Sequence, residues 1–122
     1  MKHKLYNIEG KRCANLGKLD AAISFYEKAI SIKSEYVDAH YNLASVNHKL
    51  GHLDAAVKGY KKVVAISPDY AVTHNNKILS VIYFFSKGLI SDAINALEAL
   101  IKGSPNDALL FNMAGGCYAS QG

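Results

Sequence analysis

Apolar residues recur three and four positions apart along most of the chain, in stretches separated by breaks that contain glycine or proline. In one stretch, Leu53, Ala56, Tyr60 and Val63 share a helical face. The preceding stretch has the same spacing and reaches Gly51, a residue type that commonly ends helices. The pattern predicts pairs of amphipathic helices, here over 37–50 and 53–66.

Two of these helical stretches also share a sequence. GKLDAAISFYEKAI at 17–30 returns as GHLDAAVKGYKKVV at 51–64, which is 34 residues later. A third version, GLISDAINALEALIKGSPND, covers 88–107, and a fourth copy opens at Ala108. Self-similarity at this period is typical of helical repeat arrays, in which each hairpin buries its apolar face against the next.

The third copy is longer than the others. Pro68 and Pro105 occupy equivalent places but lie 37 residues apart. We place the three extra residues in the first helix of this copy, which is then predicted to run without a break from about Ala71 to Ser86 and to be longer by nearly one turn.

The repeat resembles the tetratricopeptide repeat (TPR), whose unit carries aromatic, Gly, Ala and Pro residues at fixed positions. Phe111, Gly115 and Tyr118 match this pattern, whereas His40 and His74 replace an aromatic residue. The resemblance implies an all-α, right-handed superhelical solenoid of antiparallel helix hairpins. It also implies a single domain over 1–122, with repeats at approximately 3–36, 37–70 and 71–107 and a terminal half-repeat at 108–122.

In this family the first helix of each repeat lines a concave groove. Carried over to this chain, the resemblance assigns the groove to the following residues: Asn7, Lys11, Tyr41, Asn42, Ser45, His48, Lys49, Asn75, Asn76, Leu79 and Asn112.

Each copy offers an asparagine to this groove, namely Asn7, Asn42, Asn76 and Asn112. A side-chain amide carries the acceptor and donors that match a peptide backbone. A row of asparagines therefore predicts a site for an extended peptide, with an affinity on the order of micromolar or weaker. The alternative, that these are ordinary solvated residues, stays open.

The asparagines resemble those lining the TPR arms of O-linked N-acetylglucosamine transferases and of bacterial TPR-transferase fusion proteins. TPR proteins that bind a terminal carboxylate use bases where this chain has Val72 and Asn76. We therefore expect a non-catalytic scaffold for protein–protein interaction without a carboxylate clamp. The alternative is an oligomerisation or targeting arm, possibly a fragment of a larger TPR-containing transferase.

Other chemistry is not indicated. Fourteen Lys and Arg against ten Asp and Glu give a charge of +4, but the bases are scattered, so no nucleic-acid partner is expected. We find no spacing typical of an enzyme, a metal site or a cofactor site, and Gly51 separates His48 from His52. Cys13 and Cys117 are interpreted as buried thiols.

The apolar run Ile78–Phe85 is too short for a membrane span, which needs about 20 residues, and no signal peptide is evident at the start. The expected partners therefore exclude a membrane, and a cytoplasmic location is expected.

The last helix has no second helix to cover its apolar residues. We expect either a longer natural chain or a homo-oligomer. The predicted interface comprises Leu109, Leu110, Phe111, Met113 and Tyr118, with Phe84 and Phe85 of the third copy.

Overall fold

The chain folds as a series of helices, and the described residues contain no strand. The computed structural model describes residues 2–74 and 76–121, except for the side chains at 72 and 116–121. The helices are α1 (Lys2–Asn15), α2 (Leu19–Ile32), α3 (Val37–Lys49), α4 (Leu53–Ile66), α5 (Tyr70–Thr73), α6 (Lys77–Ser86), α7 (Ile90–Gly103) and α8 (Ala108–Gln121). Neighbouring helices pack as hairpins, α1 on α2, α3 on α4 and α6 on α7. The predicted all-α array of helix hairpins is confirmed.

Each of these hairpins turns at a glycine in the left-handed region. Gly17, Gly51 and Gly88 have φ angles of 78°, 79° and 77°. At the second turn the amide of His52 donates to the carbonyl of Asn47 at 2.9 Å, and Gly51 donates to the carbonyl of His48 at 3.1 Å. This pair of bonds closes a helix end around a glycine, because a residue without Cβ adopts positive φ at little cost. The first helix of the second hairpin therefore ends before Gly51, as the sequence predicts, and glycines end the first helices of the other two hairpins in the same way.

The first helix of the third copy is broken, and the prediction of a continuous helix over 71–86 is wrong. Asn76 has φ −101° and ψ 113°, which is extended backbone. Its side-chain oxygen accepts a hydrogen bond from the amide of Leu79 at 3.0 Å, and so caps α6. The additional length of this copy is used in the interruption between α5 and α6 rather than in another helical turn.

The core links copies that are not adjacent in the sequence. The largest buried cluster contains Ala56, Tyr60 and Val63 of the second copy together with Leu79 and Leu109. Helix α8 packs on α7 and also reaches α4. A regular solenoid has contacts between nearest neighbours only, so this chain is more closed than a simple stack.

This packing also changes the surface of the last helix. Leu109 and Leu110 are buried, with 0% and 2% exposure, whereas we expected them to be uncovered. The reason is that α8 lies against the second and third copies. Phe111 is 53% exposed, and Met113, Phe84 and Phe85 are half-buried. The side chain of Tyr118 lies outside the described residues.

Candidate functional site on the first-helix face

The first-helix face is the surface formed by α1, α3 and the start of α6, where most of the predicted groove residues lie. On α1, Asn7 is buried, with 6% of its surface exposed. The side-chain Nδ2 of Asn42, on α3, donates to Oδ1 of Asn7 at 3.0 Å. Asn42 itself is half-buried, and no described residue donates a hydrogen bond to its Oδ1. The buried asparagine therefore holds the more exposed one in a fixed orientation.

A second asparagine contact joins α3 to the break in the third copy. Nδ2 of Asn76 donates to the hydroxyl of Tyr41 at 2.7 Å, while Oδ1 of Asn76 caps α6. The ring of Tyr41 packs near those of Tyr60 and Tyr70, with centroids 6.0 and 5.5 Å away. The amide of Asn76 is thus engaged at both ends within the protein.

Four residues that were not predicted for the site extend this polar and aromatic surface. The hydroxyl of Tyr70 donates to Oδ1 of Asp38 at 2.9 Å, and its ring stacks on His74 with centroids 3.7 Å apart. Burial and then the hydrogen bond to Asp38 raise the pKa of Tyr70 far above its usual value. Burial and the Asp38 charge also raise the pKa of Tyr36, and a hydrogen bond with Asn7 opposes the shift. The sequence signal for these residues is that Tyr36 recurs 34 residues later as Tyr70, in the equivalent place of the next copy.

At its other end, the first-helix face meets the segment that leads into the fourth copy. Nε2 of His48 lies 3.0 Å from both carboxylate oxygens of Asp107, on the segment before α8. Oδ1 of Asp107 also accepts a hydrogen bond from the amide of Leu109 at 3.0 Å. No motif points to Asp107, because the contact joins two residues that lie 59 positions apart in the sequence.

Beside this contact lies a cleft of about 460 Å³, which Ser45, Lys49 and Asn106 also line. The hydroxyl of Ser45 lies 3.3 Å from that of Tyr60, and burial is the main cause that raises the pKa of Tyr60. The cleft presents hydroxyl, imidazole, ammonium and carboxylate groups together, which suits hydrogen bonding to a polar segment.

The remaining predicted groove residues are more scattered. Lys11 is exposed on α1. Asn112 is exposed and lies at a different cleft, next to Val57 and Phe85. Asn75 lies outside the described residues. The structure therefore brings together Asn7, Tyr41, Asn42, Ser45, His48, Lys49 and Asn76, and their role in binding stays a prediction.

The histidines have separate partners. His52 Nδ1 lies 3.2 Å from Oδ1 of Asn47, and His40 Nε2 lies 2.9 Å from the carbonyl oxygen of Ser34. Within the described ranges, no three His, Cys, Asp or Glu side chains come close enough to hold a metal ion. Cys13 is half-buried against the core of the first copy and not fully buried as we expected, and the side chain of Cys117 lies outside the described residues. None of the helices in the part of the chain that the structure describes has both the length and the apolar character needed to cross a bilayer.

Comparison with known families identifies the type of helical repeat in this chain. A family described as TPR repeat matches residues 10–51, and one described as Tetratricopeptide repeat matches residues 37–70. The chain belongs to the tetratricopeptide repeat family. No curated protein matches the chain.

Three solved structures, two of which are described as TPR, resemble this one over 98% of its length. The first TPR of Spaghetti (RPAP3), bound to the HSP90 peptide SRMEEVD, has 19% identity and a TM-score of 0.62, with 93% of that chain covered. The MamA RS-1 ArsTM double mutant has 21% identity and a TM-score of 0.61. TTC0263, a thermophilic TPR protein of Thermus thermophilus, has 26% identity and a TM-score of 0.59. The present chain spans 66% of the length of the last two.

Proposed function

We propose that this TPR protein is an interaction scaffold that holds an extended segment of a partner protein across the first-helix face, centred on Asn42. Membership of the family supports a protein partner, and the Spaghetti TPR, a structural neighbour, was solved with a bound peptide. The proposal itself rests on the geometry around Asn42.

The observation that carries the proposal is the hydrogen bond from Asn42 to Asn7, at 3.0 Å. This bond uses one N–H of Asn42 and leaves its other N–H and its Oδ1 for a ligand, which are the donor and acceptor that one peptide group needs. Because Asn7 fixes the amide, binding loses less side-chain entropy than it would with a free asparagine.

We expected the four asparagines to bind a peptide in the same way, but the other asparagines have different surroundings from Asn42. Asn7 and Asn76 direct their amides to partners inside the protein. Lys11, Ser45 and Lys49 are left to supply further contacts along the face. Because the number of such contacts is small and each contributes about 1 kcal/mol, we expect an affinity on the order of micromolar or weaker.

A selection from random, unstructured dodecapeptides, followed by fluorescence anisotropy, tests this proposal. We expect Asn42→Ala to weaken binding of the selected peptides at least about fivefold, which is the loss of one to two hydrogen bonds. Asn95→Ala is the matched control, since Asn95 is an exposed asparagine on α7, and it should change affinity less than about twofold. Equal effects of the two substitutions, or a selection that yields no binder, would contradict the proposal.

The alternative of an oligomerisation or targeting arm of a larger transferase stays a prediction. The burial of Leu109 and Leu110 removes two of the contacts that it named.

A further inference from the structure

A second surface, separate from the proposed peptide site, lies between α4 and α6. Two adjoining clefts, of about 430 and about 170 Å³, are both lined by Lys61, Ile82 and Phe85. We call them together the α4–α6 cleft. Buried Val64, Val81 and Ile82 form the floor, and half-buried side chains such as Phe85 form the walls. The clefts are therefore mainly apolar and open to the surface.

The cleft lies where the third copy packs on the second. Helix α6 contacts α4 less extensively than α3 contacts α2 in the preceding pair of copies. Space thus remains between the two helices, and it is bordered on one side by α8 through Met113. A groove between two helices is the kind of surface that accepts a third, amphipathic helix from another protein.

The charged groups at the cleft have one sign. Lys61 borders both parts and Lys87 borders the larger part, whereas no Asp or Glu among the described residues lines either part. Lys61 forms no ion pair with any described residue, and Nζ of Lys87 lies 5.8 Å from the centroid of the Tyr83 ring. Lys62, the neighbour of Lys61, is paired with Glu35 at 3.5 Å. The cleft itself therefore presents an apolar floor with uncompensated positive charge.

We propose that the α4–α6 cleft binds an acidic amphipathic helix of a partner protein. Apolar side chains at helical spacing on that partner occupy the floor between α4 and α6, and its Asp or Glu side chains pair with Lys61 and Lys87. The charge argues against a second copy of this chain as the occupant, because each copy carries a net charge of +4. The positive charge of the cleft attracts a partner rich in carboxylates, whereas it repels a second, positively charged copy of this chain.

A displayed library of helical peptides of about 18 residues, a length that spans several turns, tests this inference. Peptides are selected on the wild-type protein and counter-selected on Lys61→Glu/Lys87→Glu. We expect the surviving peptides to carry Leu, Phe or Met at helical spacing and to be flanked by Asp and Glu. If no peptide is removed by the counter-selection, or if the surviving peptides are basic, the inference is overturned.

The best peptide is then synthesised and its affinity is measured by fluorescence anisotropy. Lys61→Glu should weaken it about tenfold or more, and raising the salt should also weaken it, because the pairing is electrostatic and partly exposed. Phe85→Ala should weaken it at least about fivefold through lost apolar contact. Lys102→Glu, an exposed charge reversal on α7 outside the cleft, is the control and should change affinity less than about twofold, with circular dichroism confirming that all variants fold.

Two results would place the binding elsewhere and so overturn the inference. In the first, Asn42→Ala weakens the helical peptide and Lys61→Glu does not, which would put the peptide on the first-helix face. In the second, light scattering shows a dimer that Lys61→Glu dissociates, which would make a second copy the occupant. The dodecapeptide experiment tests the first-helix face, whereas the helical-peptide experiment tests the α4–α6 cleft. Either proposal can therefore fail without the other.

Discussion

At Gly10 the two helices of the first copy come so close that a methyl group does not fit. A Cβ added there would lie 2.5 Å from Cε1 of Tyr26, and the Tyr26 side chain is buried with 2% exposure. The ring can move only by disturbing the core of the first copy.

We therefore expect Gly10→Ala to lower the free energy of unfolding by about 1–3 kcal/mol, the usual range for overpacking. Gly103→Ala is the matched control, because a Cβ at Gly103 meets nothing within 4 Å. Urea denaturation followed by circular dichroism gives both values. Similar stabilities of the two variants would show that α1 and α2 do not approach as closely as described.

Tyr26 also gives a prediction for alkaline pH. Burial raises the pKa of its hydroxyl to about 12, with a smaller contribution from the charge of Cys13. The folded protein thus favours the neutral phenol more than the unfolded chain does, in which the pKa is about 10. The stabilising effect is complete below about pH 10 and is lost as the pH rises towards 12.

Urea denaturation between pH 9 and 12 measures this loss. Tyr26→Phe should reduce the fall in stability over that range, since it removes the titrating group but keeps the ring. An unchanged pH profile in Tyr26→Phe would mean that other groups, such as the Tyr70 hydroxyl, account for the whole effect.

At the scale of elements, the break between α5 and α6 depends on Asn76. Its side-chain oxygen accepts a hydrogen bond from the amide of Leu79, and its nitrogen donates to Tyr41. Asn76→Ala should lower the free energy of unfolding by about 0.5–2 kcal/mol, as is usual for the loss of a helix cap.

Asn76→Asp separates the two contacts. It keeps the cap, which a carboxylate at a helix N-terminus also favours electrostatically, and replaces the N–H donor to Tyr41 with an oxygen that can only accept from the Tyr41 hydroxyl. We expect it to retain more stability than Asn76→Ala in thermal unfolding, with Asn95→Ala as the exposed control. Equal losses in the two Asn76 variants would show that the cap contributes nothing.

The break between α5 and α6 also shows what could not be predicted from the sequence. The helix predicted over 53–66 agrees with α4, Leu53–Ile66, because apolar spacing and the preceding glycine specify it locally. The three extra residues of the third copy fit the same apolar spacing in either a longer helix or an interrupted one. The interrupted helix places Asn76 in contact with Tyr41, a residue of the second copy, and such a contact between copies is not visible in the spacing.

At the scale of the whole molecule, His48 connects α3 of the second copy to Asp107, at the end of the third copy just before α8. Their side chains are 22% and 26% exposed, so the contact is partly shielded from water. A double-mutant cycle with His48→Ala and Asp107→Ala should give a coupling energy of about 0.5–1 kcal/mol.

Asp107→Ala alone should cost more than this coupling energy, because the amide of Leu109 also loses its acceptor. The cycle removes that second effect from the comparison, since it is the same with or without His48. A coupling energy indistinguishable from zero would mean that the two copies are not linked through this pair.

The sequence could not reveal such contacts between residues that lie far apart in the chain. Its period identifies which residues are equivalent, and the family supplies an arrangement in which each repeat contacts its neighbours. The burial of Leu109 and the pairing of Asn7 with Asn42 depend on the curvature of the array. Residue types alone do not determine that curvature.

The central claim is that the first-helix face binds an extended segment of a partner protein. The most direct test is to titrate the tightest selected dodecapeptide into isotopically labelled protein and to follow amide chemical shifts by NMR. We predict the largest changes on α1 and α3, including the side-chain NH₂ group of Asn42, and little change along the α4–α6 cleft. Changes confined to the outer surfaces of α2, α4 and α7 would contradict the claim.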